Sequence, residues 1–194
     1  MTARCELIIG GQKSGKSRRG EELAAAWLAA SPVHRAVLVA TAEAHDDEMR
    51  ERIARHRTDR CMRVPRLETV EAPLRLAEAL RALGAPDTLV MVDCLTLWLT
   101  NLLMPHDAES HAPSQAPAPA VPVEIATLLL ALREAQGPIV LVGNEIGLGV
   151  IPMGREVRAF VDTLGMLNQQ VAAVCDRVTL MAAGLPLTLK DESR

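Results

Sequence analysis

The sequence predicts an α/β fold, a mostly parallel sheet with helices on both faces, and three observations carry that expectation. Short runs of β-branched and apolar residues alternate with longer stretches of helical period, the pattern of a parallel sheet covered by helices. A glycine-rich turn stands between the first apolar run and the first helical stretch. The final segment, RVTLMAAGLPLTLK, holds two apolar runs joined by Ala-Gly, as in a C-terminal antiparallel hairpin at a sheet edge, where Pro186 is tolerated.

The strands fall near 5–9 (CELII), 36–40 (AVLVA), 88–92 (TLVMV) and 138–142 (PIVLV), with a closing pair near 177–182 and 185–190. Helical spacing places helices near 16–30, 46–58, 73–83, 94–104, 123–136 and 154–175. The last carries Val157, Phe160, Val161, Leu164, Leu167, Val171 and Val174 along one face, which predicts that it lies on the sheet. Between Pro105 and Pro122 the chain is rich in Pro, Ala and Ser without an apolar period, so it reads as a flexible surface loop inside the domain. The strand and helix alternation resumes after it, and the 194 residues read as one domain over 1–194.

Composition narrows the function. The net charge of -3 and the lack of any basic arm give little support to a nucleic-acid surface. Aromatic residues are reduced to Trp27, Trp98 and Phe160, so base stacking on aromatic platforms is not a general device here. Cys5, Cys61, Cys94 and Cys175 form no C-x-x-C pair, which suggests thiols in a reducing cytosol and neither a zinc site nor a disulfide framework. The start of the chain lacks a secretory pattern, and the most apolar stretch, Thr88 to Met104, is interrupted by Asp93 and is too short for a membrane span. The expectation is a cytoplasmic protein.

The glycine-rich turn, GGQKSGKS, matches the phosphate-loop pattern over Gly10, Gly11, Gln12, Lys13, Ser14, Gly15, Lys16 and Ser17. Glycines let successive N–H groups converge on phosphate oxygens, Lys16 reaches the outer phosphates, and the Ser17 hydroxyl is a ligand for Mg²⁺. The helix that follows adds its positive N-terminal end. Asp93 directly follows TLVMV, where an acidic residue at a strand end holds the metal directly or through water; its other reading is the N-cap of the next helix.

In TAEAHDDEMRERIARHRTDR, Met49, Ile53 and His56 share a helical face, with Arg52, Arg55, Arg57 and Arg60 around them. Neighbouring cations push a histidine toward its neutral form, a usable nucleophile at phosphorus. Spacing alone equally describes, and more often means, an inward-leaning histidine that packs and hydrogen-bonds. His45 reads as a cap-region neighbour, and His34, His106 and His111 have no site-like partners. Asn144 and Glu145 end the fourth strand, where they either touch substrate or metal or simply terminate the strand.

Taken in order, ELIIGGQKSGKSRRGEELA, LVATAEAHDDEMRERIARHRTDR, TVEAPL, VMVDCLTLWLTNLL, GNEIGLGVIP and LNQQVAAVCDRVTLMAAGLPLTLK resemble the bifunctional adenosylcobinamide kinase and adenosylcobinamide-phosphate guanylyltransferase family of cobalamin biosynthesis. The resemblance covers nearly the whole chain except the Pro/Ala-rich loop. It implies a RecA-like P-loop fold and two reactions with Mg²⁺ and ATP or GTP as substrates. First the hydroxyl of adenosylcobinamide is phosphorylated, and then GMP passes from GTP through a histidine to that phosphate.

The resemblance makes His56 the GMP-carrying histidine, and the phosphate-loop chemistry makes Lys16 the catalytic cation that stabilises the departing pyrophosphate. The resemblance also implies nucleotide contacts at Gly10 to Ser17, at Ala40, Thr41 and Ala42, at Arg57, Thr58, Asp59 and Arg60, and at Glu71 and Asp93, with a homo-oligomer as the assembly. The chain departs from the family pattern in places. The stretch between Arg60 and Thr69 is a few residues longer and Leu67 replaces a frequent Trp, which leaves Glu68 as a competitor of Glu71. Gln12 and Lys13 replace the commoner Ala-Arg, keeping a cation without its bidentate geometry. Two rival readings are a P-loop kinase with no covalent intermediate and a nucleotide-dependent regulatory module.

Overall fold

The computed structural model describes residues 4–44, 47–104, 121–150 and 152–192, and within the second helix the side chains of Glu48, Met49, Arg52, Ile53 and His56 lie outside the described set. Residues 105–120 of the expected loop, together with His45, lie outside it too, so that His106 and His111 are not described. The elements run β1 (Cys5–Gly10), α1 (Lys16–Ala30), β2 (Arg35–Ala40), α2 (Asp47–Arg63), β3 (Leu67–Glu71), α3 (Leu76–Leu83) and β4 (Thr88–Asp93). They continue as α4 (Leu95–Leu103), α5 (Val121–Glu134), β5 (Ile139–Asn144), α6 (Arg155–Val174), β6 (Arg177–Ala182) and β7 (Leu185–Asp191).

The strands form one sheet in the order β3-β2-β4-β5-β1-β6-β7, parallel except for β7. Period-two alternation feeds a core on each face. Leu7, Ile9, Val90, Val92, Ile139 and Leu141 turn toward α3 to α6, where they meet Leu76, Leu80, Trp98, Leu128, Leu132, Leu164 and Leu167. Ile8, Leu38, Leu89, Met91, Val140 and Val142 turn the other way and pack on Ala24 and Leu28 of α1. The central strands are buried along their length, which explains why they read as near-continuous apolar runs.

Several expectations shift. β3 was not expected as a strand: LETVE buries only Leu67, and a polar edge strand carries little apolar signal. α2 runs to Arg63 instead of 58, and Pro65 stops it soon afterwards. α3 begins at Leu76, clear of Pro73, and α5 begins at Val121, taking the last two residues of the expected loop. Along α6 only the part from Leu164 onward is well buried, while Val157 stays exposed, so its first turns project beyond the sheet.

The C-terminal hairpin forms as expected. Its turn places Ala183 and Gly184 at φ 53° and 79°, the left-handed pair that two-residue hairpins require. Among the described residues, no helix is long and apolar enough to cross a membrane.

Candidate active site

The parallel register brings the ends of the strands to one edge. Ala40 lies beside Glu71 of β3 on one side and beside Asp93 of β4 on the other, and Gly10 lies beside Asn144 of β5. In an open parallel sheet this carboxyl edge is where ligands bind. Glu68 lies beside Val37, near the other end of β3, where it pairs with Arg35. Of the two competing glutamates, only Glu71 stands level with Asp93.

The phosphate loop fills the turn from β1 into α1. Gly10 and Gly15 take φ values of 154° and 100°, and Lys13 takes 54°. A Cβ on Gly10 would lie 2.4 Å from the Met181 carbonyl oxygen, so β6 leaves no room there for a side chain. The Gly184 N–H donates to the Ser14 carbonyl at 3.0 Å and the Glu145 N–H to the Gly10 carbonyl, so the terminal hairpin and the end of β5 brace the loop. This bracing was not legible in the sequence, because it joins residues far apart in the chain.

α1 starts at Lys16 with no side-chain cap and no acidic residue in its first turn. Its first N–H groups therefore face the loop without a competing carboxylate, a setting for an anion. The Ser14 hydroxyl is buried with no protein partner among the described residues. Lys16 is buried and its Nζ donates to the Gly11 carbonyl at 2.6 Å. Burial lowers its pKa, opposed by the neighbouring Cys94 and Asp93. Burial also pushes the Cys94 thiol up to about 11, so at neutral pH Asp93 is the neighbour whose negative charge opposes the lowering of the Lys16 pKa.

Asp93 is the last residue of β4, and the N-cap of α4 is Cys94, whose Sγ accepts from the Leu97 N–H. The capping reading of Asp93 is thereby displaced by one residue. Ser17 and Asp93 are both half-buried and present hard oxygen donors, the set that suits Mg²⁺ held by one or two protein ligands plus phosphate oxygens. Among the described residues no group of three or more His, Cys, Asp or Glu side chains is placed to hold a metal ion.

α2 leans over this edge through its arginines. Arg63 makes a two-pronged contact with the buried Glu21 of α1, at 2.6 and 3.1 Å. Arg57 pairs with Glu71, and Arg60 donates to the Thr69 hydroxyl at 3.3 Å. Arg60 is buried, which lowers its pKa, while Glu21 and Asp93 favour its charge. Thr58 returns its hydroxyl to the Ala54 carbonyl of its own helix, and Asp59 is exposed. The backbone of His56 sits in α2 immediately before Arg57. Ala40 and Ala42 are half-buried, Gln12 and Lys13 are exposed, and Thr41 is fully buried. His34 lies elsewhere, stacked on Trp27.

The strand that carries the phosphate loop and the strand that ends in Asp93 are separated by β5, and this order with the loop geometry defines a RecA-like P-loop protein. In fold it is similar to the flagellar accessory protein FlaH from Methanocaldococcus jannaschii, with a TM-score of 0.52 and 12% identity, over 98% of this chain and 80% of that one. The family model described as cobinamide kinase / cobinamide phosphate guanyltransferase matches residues 6–189, and the chain belongs to that family. It is 45% identical to the bifunctional adenosylcobalamin biosynthesis protein CobP of Pseudomonas aeruginosa, over 96% of this chain and 98% of that protein. Bifunctional adenosylcobalamin biosynthesis proteins named CobU are 34% identical in Escherichia coli and 35% identical in Salmonella typhimurium, each over 95% of this chain and 98% of the relative.

Proposed function

We propose that this enzyme phosphorylates adenosylcobinamide with ATP or GTP and then guanylylates the product through a covalent histidine intermediate, in the cytoplasm. The observation that carries the reading is the shared carboxyl edge. The phosphate loop, Asp93 and Glu71 meet there, and α2, with His56 in it, is tied to that edge by Arg57 and to the loop's own helix by Arg63. Family membership supplies the substrates.

In the first reaction the loop's N–H groups and Lys16 hold the triphosphate, while the cobinamide hydroxyl attacks the γ-phosphorus and the nucleoside diphosphate leaves. Ser17 and Asp93 would hold Mg²⁺, which when bound neutralises phosphate charge. In the second, an imidazole nitrogen of His56 attacks the α-phosphorus of GTP. The P–N bond forms as the α–β bridge breaks, the imidazole gives up its proton, and pyrophosphate departs against Lys16 and the α2 arginines. An oxygen of the cobinamide phosphate then attacks that phosphorus, the P–N bond breaks, and adenosylcobinamide-GDP leaves.

Gly10 to Ser17, Ala40 and Ala42 of the turn after β2, the segment Arg57 to Arg60, Glu71 and Asp93 form the proposed nucleotide site, while Thr41, expected among them from the resemblance, is fully buried behind that turn. A groove of about 460 Å³ begins just past Glu145, where Ile146, Val150 and Met166 face Arg158, Asp162 and Gln169, a mixed apolar and polar surface suited to a large substrate that carries amide groups. The exposed Leu185, Leu187 and Leu189 on the outer strand β7 support assembly as a homo-oligomer. Mass analysis of products from adenosylcobinamide, nucleotide and Mg²⁺ tests the scheme: wild type should yield the phosphate and the GDP derivative, and His56→Ala only the phosphate. A His56→Ala enzyme that still makes the GDP derivative would leave a direct transfer in place of the covalent route.

A further inference from the structure

Thr41 is completely buried at the turn after β2, and every polar atom it has is engaged within the protein. Its Oγ1 donates to the Cys94 carbonyl at 2.7 Å and accepts from the Cys94 N–H at 2.8 Å. Its own N–H donates to the Asp93 carbonyl at 3.2 Å, and its carbonyl accepts from Asn101 Nδ2 at 2.8 Å. The same Asn101 amide donates to the Pro73 carbonyl at 3.1 Å, just past Glu71. One threonine and one asparagine thus tie together the chain ends that follow β2, β3 and β4.

The geometry points to Thr41 as a positioning residue: it clamps both polar groups of Cys94 and so fixes where the Asp93 carboxylate stands opposite Lys16 and Ser17, without itself touching the nucleotide. This rests on the reading of Asp93 as the metal-side carboxylate. A hydroxyl is the smallest group that both donates and accepts, so a single side chain satisfies the N–H and the carbonyl on either side of one α-carbon. Valine has the same shape and neither function: it leaves the buried Cys94 N–H without a partner and the Cys94 carbonyl with the Trp98 N–H alone. Serine keeps the hydroxyl.

The test is the affinity of a fluorescent GTP analogue, measured with Mg²⁺ and with chelator, alongside thermal melting. In wild type Mg²⁺ should tighten binding. Thr41→Val should keep its affinity in chelator within about twofold, because the phosphate loop is untouched. It should lose about tenfold of the Mg²⁺ enhancement, while Thr41→Ser retains it. A purely structural role would lower the melting temperature and leave the enhancement intact, and a direct nucleotide contact would weaken binding equally in both buffers; either result overturns the inference. Should Thr41→Val fail to melt cooperatively, Asn101→Ala carries the test, with a smaller loss of the same enhancement expected and an unchanged one overturning it. Asp93→Asn separates the two levels. If it also keeps the enhancement, the reading of Asp93 fails; if it loses the enhancement while Thr41→Val keeps it, only the clamp fails.

Discussion

Lys16 Nζ donates a 2.6 Å hydrogen bond to the carbonyl of Gly11, so the cation of the phosphate loop is held across its own loop by a main-chain oxygen. Burial depresses its pKa, and a bound triphosphate would raise it again. The sign follows from linkage: binding takes up protons where free Lys16 has begun to lose its own, so GTP affinity falls as pH rises through the depressed lysine range. A titration of a fluorescent GTP analogue from neutral to alkaline pH should show that fall in wild type. Lys16→Met should bind weakly throughout, with no such slope. A wild-type affinity independent of pH would contradict the depressed lysine.

Glu71 and Glu68 should separate cleanly. Glu71→Gln removes a carboxylate level with Asp93, and a drop of about tenfold in guanylyl transfer is expected from a lost charged contact. Glu68→Gln removes an exposed pair with Arg35 at the other end of β3, worth at most about 0.5 kcal/mol of stability, and should leave both reactions unchanged. Steady-state rates and urea melts of the two variants decide the matter.

Gly10 admits no side chain. Alanine there would place Cβ 2.4 Å from the Met181 carbonyl oxygen and 2.8 Å from Ser14 Oγ, on a backbone at φ 154°. The expected cost is about 2–4 kcal/mol, read as a lowered urea midpoint, together with loss of nucleotide binding.

Arg63→Ala leaves the Glu21 carboxylate buried and stripped of its partner. Because Arg63 itself is partly exposed, the expected loss is about 1–2 kcal/mol, below that of a fully buried pair. Loosening α2 should also slow transfer to the cobinamide phosphate more than the initial phosphorylation. Equal slowing of the two would argue that α2 does not carry the reactive group of the second reaction.

The fold was legible where burial is two-sided. The central strands β1, β2, β4 and β5 read as apolar runs because both faces of each are packed, and the hairpin was marked by Ala-Gly between two such runs. β3 was missed because a half-exposed edge strand with Glu68 and Glu71 gives almost no apolar signal. At the site, local chemistry was readable: the loop from Gly10 to Ser17 sits as its pattern requires, and Asp93 ends its strand. Contacts between distant segments were not, since neither Gly184 on Ser14 nor Thr41 on Cys94 has a sequence pattern of its own. That Glu71, and not Glu68, stands level with Asp93 follows from the strand register, which no single-strand pattern contains.

The most direct test of the covalent route is the intact mass of the protein after incubation with GTP and Mg²⁺, for wild type and His56→Ala, with the adduct then exposed to acid and to alkali. One GMP per chain is expected in wild type, labile in acid and stable in alkali as a phosphoramidate is, and none in the variant. A wild-type protein that binds GTP yet never gains this mass, or a His56→Ala protein that does, would contradict the covalent route.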